Sequence, residues 1–269
     1  AYLLSMGLST AVLFVGQEIN GSRRWLNFGP LSFQPSEFAK AAVILFLTWQ
    51  IQGSKKTTAG FWFMCRTMLT LLPIVGLVGS NNLSTAIIIL GIGVILIFIS
   101  DPGYARFVGM GVTGAAVIAV FLAAESYRLE RLAIWRNPEK YEKGFQTIQG
   151  LYAIGSGGLF GRGFGSSLQK LGFVPEAQND MIFSIICEEL GLMGACGVLL
   201  LFGLVIWRLM VIATHTQELF GTLLAAGVMG HILIQVILNV AVVTNTIPNT
   251  GITLPPVSYT HLRAHETSA

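Results

Sequence analysis

Charged residues are scarce in this sequence. Asp, Glu, Lys and Arg together make up 11% of its 269 residues, whereas hydrophobic residues make up 53% and the mean hydropathy is +0.70. A soluble domain carries roughly 25% charged residues. The composition therefore excludes an ordinary soluble domain and predicts a polytopic membrane protein. Aspartate is the rarer of the two acids and occurs only as Asp101 and Asp180.

Cysteine is rare as well. Cys65, Cys187 and Cys196 lie in or beside apolar segments, and their spacing fits neither a disulfide framework nor a zinc site. We interpret them as small core residues. A basic segment before the first apolar run is also lacking, so the sequence predicts no cleavable signal peptide, and its beginning is typical of the middle of a longer protein.

Long apolar runs, by contrast, fill the chain. A membrane-spanning helix needs about 20 apolar residues, or fewer when its flanks reach the interface. Seven segments qualify, namely 2–16, 38–52, 67–80, 83–100, 107–124, 181–207 and 219–243. Short loops on one side carry Lys55, Lys56, Arg66, Arg106 and Arg208. By the positive-inside rule that side is cytoplasmic, so the loops 17–37, 125–180 and 244–256 face outward. The predicted fold is an all-α membrane helix bundle with a large extracellular loop.

The large outer loop is basic, with a net charge of +3 between residues 126 and 179. One interpretation is an ordinary solvated loop, which crosses the membrane regardless of its charge. The other is an anion site in which basic residues of this loop, among them Arg128, Arg162 and Lys170, bind a pyrophosphate together with Arg23 and Arg24 from another outer loop. Both interpretations remain open.

The segment 175–191 combines acids with the start of an apolar run. Asp180 lies where the polar loop meets this run, and Glu188 and Glu189 follow about two turns later. A carboxylate near hydrocarbon is costly and is by default functional. Asp180 also suits a plain helix N-cap, a role that does not exclude catalysis. The two glutamates point about 100° apart on a helix, so we expect one of them to be structural.

Two further motifs carry polar groups. Glu37 and Lys40 are spaced to share one face of a helix, either as a structural ion pair or in a polar cavity of the bundle. The glycine-rich stretch 155–165 follows no strand, so we reject nucleotide binding there and expect a close backbone approach instead. Gln146, just upstream, is suited to hydrogen bonding with a sugar or to a place on the loop surface.

The last residues have a different character. Residues 257–267 match the translation of a sequencing-library adapter. We therefore expect one domain over residues 1–256 and a non-native tail over 257–269, in which His261 and His265 have no functional role.

Several motifs occur in the order typical of one family. They are 21–26 (GSRRWL), 34–37 (QPSE), 157–161 (GGLFG), 175–191 and 239–255, which contains TGITLP. Over residues 1–255 the chain resembles the SEDS proteins, the group that contains FtsW, RodA and SpoVE. Two departures stand out. Asn82 occupies a position where the family commonly has Asp, and Pro256 and Thr260 interrupt the family's FVSYGG stretch.

The resemblance implies ten transmembrane helices in the whole protein, of which this chain would hold the third to the ninth. It implies a peptidoglycan glycosyltransferase at the bacterial plasma membrane, acting on lipid II at the extracytoplasmic side beside a class B penicillin-binding protein. Nucleic acid is not an expected partner. Asp180 would be the general base in inverting glycosyl transfer.

The resemblance places Glu37 and Lys40 in the polar lining of a central cavity. With the residues discussed above, the expected substrate-binding residues are Arg24, Glu37, Lys40, Gln146, Arg162, Lys170, Glu176 and Glu188. No dedicated metal site is expected, although Mg²⁺ or Mn²⁺ could be shared with the substrate pyrophosphate. Two alternatives remain, a lipid II flippase and a noncatalytic scaffold for the penicillin-binding protein.

Overall fold

The computed structural model describes residues 1–19, 22–28, 31–54, 60–101, 103–123, 126–169 and 179–255. These residues form nine α-helices, which are α1 Tyr2–Val15, α2 Pro35–Ser54, α3 Phe61–Asn81, α4 Leu83–Ser100, α5 Tyr104–Ala123, α6 Ser126–Arg136, α7 Phe145–Gly157, α8 Ile182–His215 and α9 Leu219–Val243. Each of the seven predicted spans coincides with one of them. Four, α3, α4, α8 and α9, are long and apolar enough to cross a membrane by length and composition.

The predicted outer loops contain structure that the sequence pattern did not indicate. Residues 17–33 hold three short antiparallel strands, β1 Gln17–Ile19, β2 Ser22–Phe28 and β3 Leu31–Phe33, in the order β1-β2-β3. The large loop holds α6, α7 and two short 3₁₀ turns. The prediction of plain loops at these places was therefore wrong in detail.

The chain divides into two compact units by its contacts. The first comprises residues 1–121 and 207–234, and the second comprises residues 122–206 and 235–269. In the first unit, α1, α2, α3 and α4 pack around buried aliphatic side chains that include Leu47, Leu71, Ile89 and Ile92. Small residues let its helices approach closely, since a Cβ at Gly93 would lie 2.2 Å from Leu71.

Asn82 begins α4 in the first unit. Its side-chain oxygen accepts a hydrogen bond from the Thr85 backbone N–H at 3.2 Å, and the residue is buried. Asn and Asp are about equally good N-caps. Asn82 therefore caps α4 about as well as an aspartate at this position would.

In the second unit, α8 is interrupted at Gly191. This residue has φ 68° and ψ −169°, a conformation that only glycine adopts readily. The break leaves backbone groups on both sides without helical partners, and the glycine-rich stretch forms hydrogen bonds with them. Arg162 N–H donates to the Glu188 carbonyl at 2.9 Å and Gly163 N–H to the Glu189 carbonyl at 3.0 Å.

The same stretch accepts hydrogen bonds from beyond the break. Leu192 N–H donates to the Gly158 carbonyl at 2.9 Å, and Met193 N–H donates to the Leu159 carbonyl at 3.2 Å. A broken apolar helix is tolerated where other protein groups satisfy its backbone. The close approach expected for the glycine-rich stretch is therefore present, and what it approaches is a helix backbone.

Candidate active site

Asp180 lies in the second unit, just before α8. Its side chain is 4% exposed. Gln146 of α7 extends its Nε2 to within 3.4 Å of both carboxylate oxygens. The structure therefore brings together two of the predicted site residues, Asp180 and Gln146.

A C-terminal segment, residues 249–254, borders the same carboxylate. Gly251 has φ +68°, and a Cβ at this glycine would lie 3.8 Å from Asp180 Oδ2. Gly251 is itself exposed. One edge of the buried carboxylate is thus bordered by a glycine backbone with no side chain.

Two elements hold this C-terminal segment in place. Arg131 of α6 donates to the Asn249 carbonyl at 3.1 Å. On α9, Asn239 donates to the carbonyls of Ile252 at 2.7 Å and of Asp180 at 2.8 Å. Asn239 is fully buried, so one amide side chain joins the C-terminal segment to the residue that carries the carboxylate.

Glu188 forms a second cluster in the same unit. Its buried carboxylate accepts hydrogen bonds from the Ser167 hydroxyl at 2.5 Å and from the N–H groups of Leu168 and Gln169 at 3.3 and 3.4 Å. Arg162 Nη1 lies 3.4 Å from Glu188 Oε1. Both oxygens are engaged by the chain itself, which points to a structural contribution. The predicted contact of Glu188 with substrate stays a prediction.

Glu37 and Lys40 lie in the first unit, in the first turns of α2. Lys40 Nζ is 2.9 Å from Glu37 Oε2, and Lys40 is 2% exposed whereas Glu37 is 42% exposed. The predicted shared face is therefore present, and the pair forms an i, i+3 ion bridge. A role in substrate binding stays a prediction for both residues.

Three predicted site residues cannot be located. Lys170 and Glu176 lie outside the described residues, and so does the side chain of Arg24, although its backbone belongs to β2. Their predicted contacts with a pyrophosphate or a sugar remain predictions.

Sequence reasoning included Asn239 and Gly191 only as the ends of motifs and gave neither residue a role in the site. Asn239 carries a signal that it overlooked, a polar amide inside the apolar run of α9, because such residues face protein rather than lipid. Gly191 follows Glu188 and Glu189, but nothing in its immediate sequence indicates that the helix is interrupted there.

These observations define a class, a polytopic membrane protein with a buried acidic site at the start of a broken helix. The chain belongs to the family of cell cycle proteins FtsW, RodA and SpoVE, whose model matches residues 1–260. The predicted family and the all-α membrane fold are confirmed.

Two similar proteins illustrate the relationship. Stage V sporulation protein E of Bacillus subtilis is 40% identical over 255 residues, which cover 91% of this chain and 68% of that protein. The probable peptidoglycan glycosyltransferase FtsW of Saccharophagus degradans is 34% identical, covering 96% of this chain and 69% of that protein. The names of such relatives agree with the predicted enzyme class.

A solved structure described as a peptidoglycan synthase complex that coordinates polymerization and crosslinking contains a similar chain. It is 32% identical with a TM-score of 0.77, and the match covers 94% of this chain and 72% of that one. This chain thus spans about two thirds of the length of its relatives.

Proposed function

We propose that this protein is a peptidoglycan glycosyltransferase that polymerises lipid II at the extracytoplasmic face of the plasma membrane, with Asp180 as its general base. The observation that carries the proposal is the Asp180 carboxylate, which is buried, held by Gln146 and bordered by an exposed glycine. The names of the relatives support the reaction class.

The proposed step is an inverting displacement. Asp180 accepts the proton of the C4 hydroxyl of the acceptor N-acetylglucosamine, and that oxygen attacks the anomeric carbon of the donor N-acetylmuramic acid. The new C–O bond forms as the bond to undecaprenyl pyrophosphate breaks, and the pyrophosphate takes the electron pair. A general base must come within hydrogen-bond reach of the proton that it removes. The glycine border at Gly251 leaves space for such an approach.

The leaving pyrophosphate needs a positive partner. Arg162 is suited to this role because its side chain is 39% exposed while its guanidinium contacts Glu188. Arg24, Arg128 and Lys170 are further candidates from the sequence, and their side chains lie outside the described residues. We include Mg²⁺ or Mn²⁺ in the proposal as an ion bound chiefly by the pyrophosphate, because no group of three metal-binding side chains occurs among the described residues.

The test uses the protein expressed from its native gene, purified with its class B penicillin-binding protein and given labelled lipid II. Asp180→Asn should lower the rate of glycan formation about 10²- to 10⁴-fold, as loss of a general base typically does. The matched control is Asp101→Asn, which makes the same chemical change at the other aspartate. The Asp101 carboxylate accepts a hydrogen bond from the Gly60 N–H, and the asparagine oxygen can accept it as well. The control should polymerise lipid II at the wild-type rate.

Equal rates for Asp180→Asn and the wild type would remove Asp180 from the mechanism. Transport of lipid II is the second candidate, favoured by the buried Lys40 in a predicted membrane span. It gains support if folded wild-type protein makes no polymer with its partner but moves labelled lipid II across liposomes.

A further inference from the structure

We propose that Asn239 is a positioning residue for Asp180: its two amide hydrogens fix the Asp180 backbone to the C-terminal segment 249–254. The inference rests on the proposed function, because it concerns the same carboxylate. It adds a residue on a different helix, 59 positions away in sequence.

The hydrogen bonds determine how the Asn239 amide is oriented. Its Nδ2 lies 2.8 Å from the Asp180 carbonyl and 2.7 Å from the Ile252 carbonyl. A side-chain amide offers two N–H hydrogens, so both are used. Two acceptors this close to one atom require the nitrogen, and not the oxygen, to face them.

The Asn239 side chain is held through one half of its amide only. Asn239 Oδ1 is buried without a hydrogen-bond partner among the described residues. An apolar side chain would avoid the cost of this buried acceptor, but it would leave the carbonyls of Asp180 and Ile252 without their donor. What asparagine supplies here, and leucine cannot, is the double donor between Asp180 and Ile252.

The segment that Asn239 fixes is the one that borders the carboxylate. Gly251 precedes Ile252 directly, and its Cβ position lies 3.8 Å from Asp180 Oδ2. Its positive φ makes any other residue strained at this place. Asn239 thereby sets both the position of the Asp180 backbone and the distance of the Gly251 backbone from the carboxylate.

Gln235, one turn earlier on α9, provides a matched control. It is also buried, and it donates to the Thr253 carbonyl at 2.9 Å and to the Thr253 hydroxyl at 3.5 Å. It therefore anchors the same C-terminal segment, but these bonds do not reach the Asp180 backbone.

The experiment compares Asn239→Leu, Gln235→Met and Asp180→Asn in the lipid II polymerisation assay, with kcat and KM measured separately. Asn239→Leu should lower kcat about 10²-fold, as a displacement of about 1 Å at a reacting group does. Its KM should stay within about twofold of wild type, because an interaction realised only in the transition state is lost. Gln235→Met should lower kcat less than about fivefold.

Two results would overturn the inference. One is a folded Asn239→Leu protein with wild-type kcat, or with a raised KM alone. The other is an equal loss of kcat in Gln235→Met, which would mean that any anchor of the segment has the same effect. If Asn239→Leu does not fold, the kcat of Asn239→Gln tests the inference instead. It keeps the donor but moves it by one methylene, and we expect at least about a tenfold loss of kcat; wild-type kcat would overturn the inference.

The Asp180→Asn variant separates the two levels of the argument. If it polymerises lipid II like the wild type, the proposed function fails, and the positioning inference fails with it. If it is inactive while folded Asn239→Leu is fully active, only the positioning inference fails.

Discussion

We expect substitutions at Gly191, where α8 is interrupted, to destabilise the second unit more than substitutions elsewhere in it. We expect Gly191→Ala to destabilise the protein strongly, because a methyl group has no space there. Its Cβ would lie 2.3 Å from the Gly161 nitrogen and 2.6 Å from the Leu159 carbonyl oxygen. Both neighbours are backbone atoms, so the glycine-rich stretch or the helix must move.

The size of the effect follows from two contributions. A non-glycine residue held in this backbone region costs about 1 to 3 kcal/mol. Four of the described backbone hydrogen bonds join the break to the glycine-rich stretch, and each contributes about 1 kcal/mol net. Loss of half of them adds about 2 kcal/mol, so we expect a loss of about 3 to 5 kcal/mol. For chains only slightly shorter than this one, Tm falls by about 2 to 4 °C for each kcal/mol of lost stability. We therefore expect Tm to fall by roughly 10 °C.

The assay is thermal unfolding of the detergent-purified protein, followed by the loss of monodisperse material. Gly197→Ala is the matched control, since it lies on the same helix and a Cβ there meets nothing within 4 Å. It should leave Tm unchanged or raise it slightly, because alanine is the better helix former by about 1 kcal/mol. A Tm for Gly191→Ala within about 2 °C of that control would refute the reasoning.

Two further predictions concern the buried charges. Glu188→Leu should cost about 3 kcal/mol, because it leaves the Ser167 hydroxyl and other donors without their acceptor. Arg162→Gln should cost less, about 1 kcal/mol, because the Glu188 carboxylate keeps its hydrogen bonds from Ser167 and two backbone N–H groups. Equal Tm values for the two variants would contradict this. Lys40→Met should keep Tm within about 2 °C of wild type, since Glu37 is exposed enough to be hydrated when its partner is lost. It should nevertheless slow lipid II polymerisation at least about tenfold, because its predicted role is substrate binding, and an unchanged rate would leave the ion pair with a structural role only.

The helices of the predicted spans could be predicted from the sequence because each is an apolar run bounded by polar or glycine-containing segments. Their ends were predicted less accurately. α3 begins at Phe61, six residues before the predicted start, because Arg66 was taken as part of a loop although a helix can carry one basic residue near its end. The strands between 17 and 33 are too short to produce a clear alternation, and their pairing with one another defines them.

The candidate site divides in the same way. Asp180 was predicted because a rare acid at the edge of an apolar run is a local signal. Asn239 and the C-terminal segment 249–254 contact Asp180 across 59 or more positions of sequence, and no local pattern specifies such a contact. The break at Gly191 is likewise set by hydrogen bonds to a stretch about 30 residues earlier.

These distant contacts act on one short element, the first part of α8 between Asp180 and Gly191. At its beginning, Asn239 binds the Asp180 carbonyl. At its end, the carbonyls of Glu188 and Glu189 accept hydrogen bonds from the glycine-rich stretch, and the Glu188 side chain is bound by Ser167 and its neighbours. A helix of about two turns that is held at both ends cannot rotate or slide without breaking hydrogen bonds at one of them. The break at Gly191 therefore separates this element from the apolar remainder of α8, and the glycine-rich stretch holds the backbone on both sides of the break.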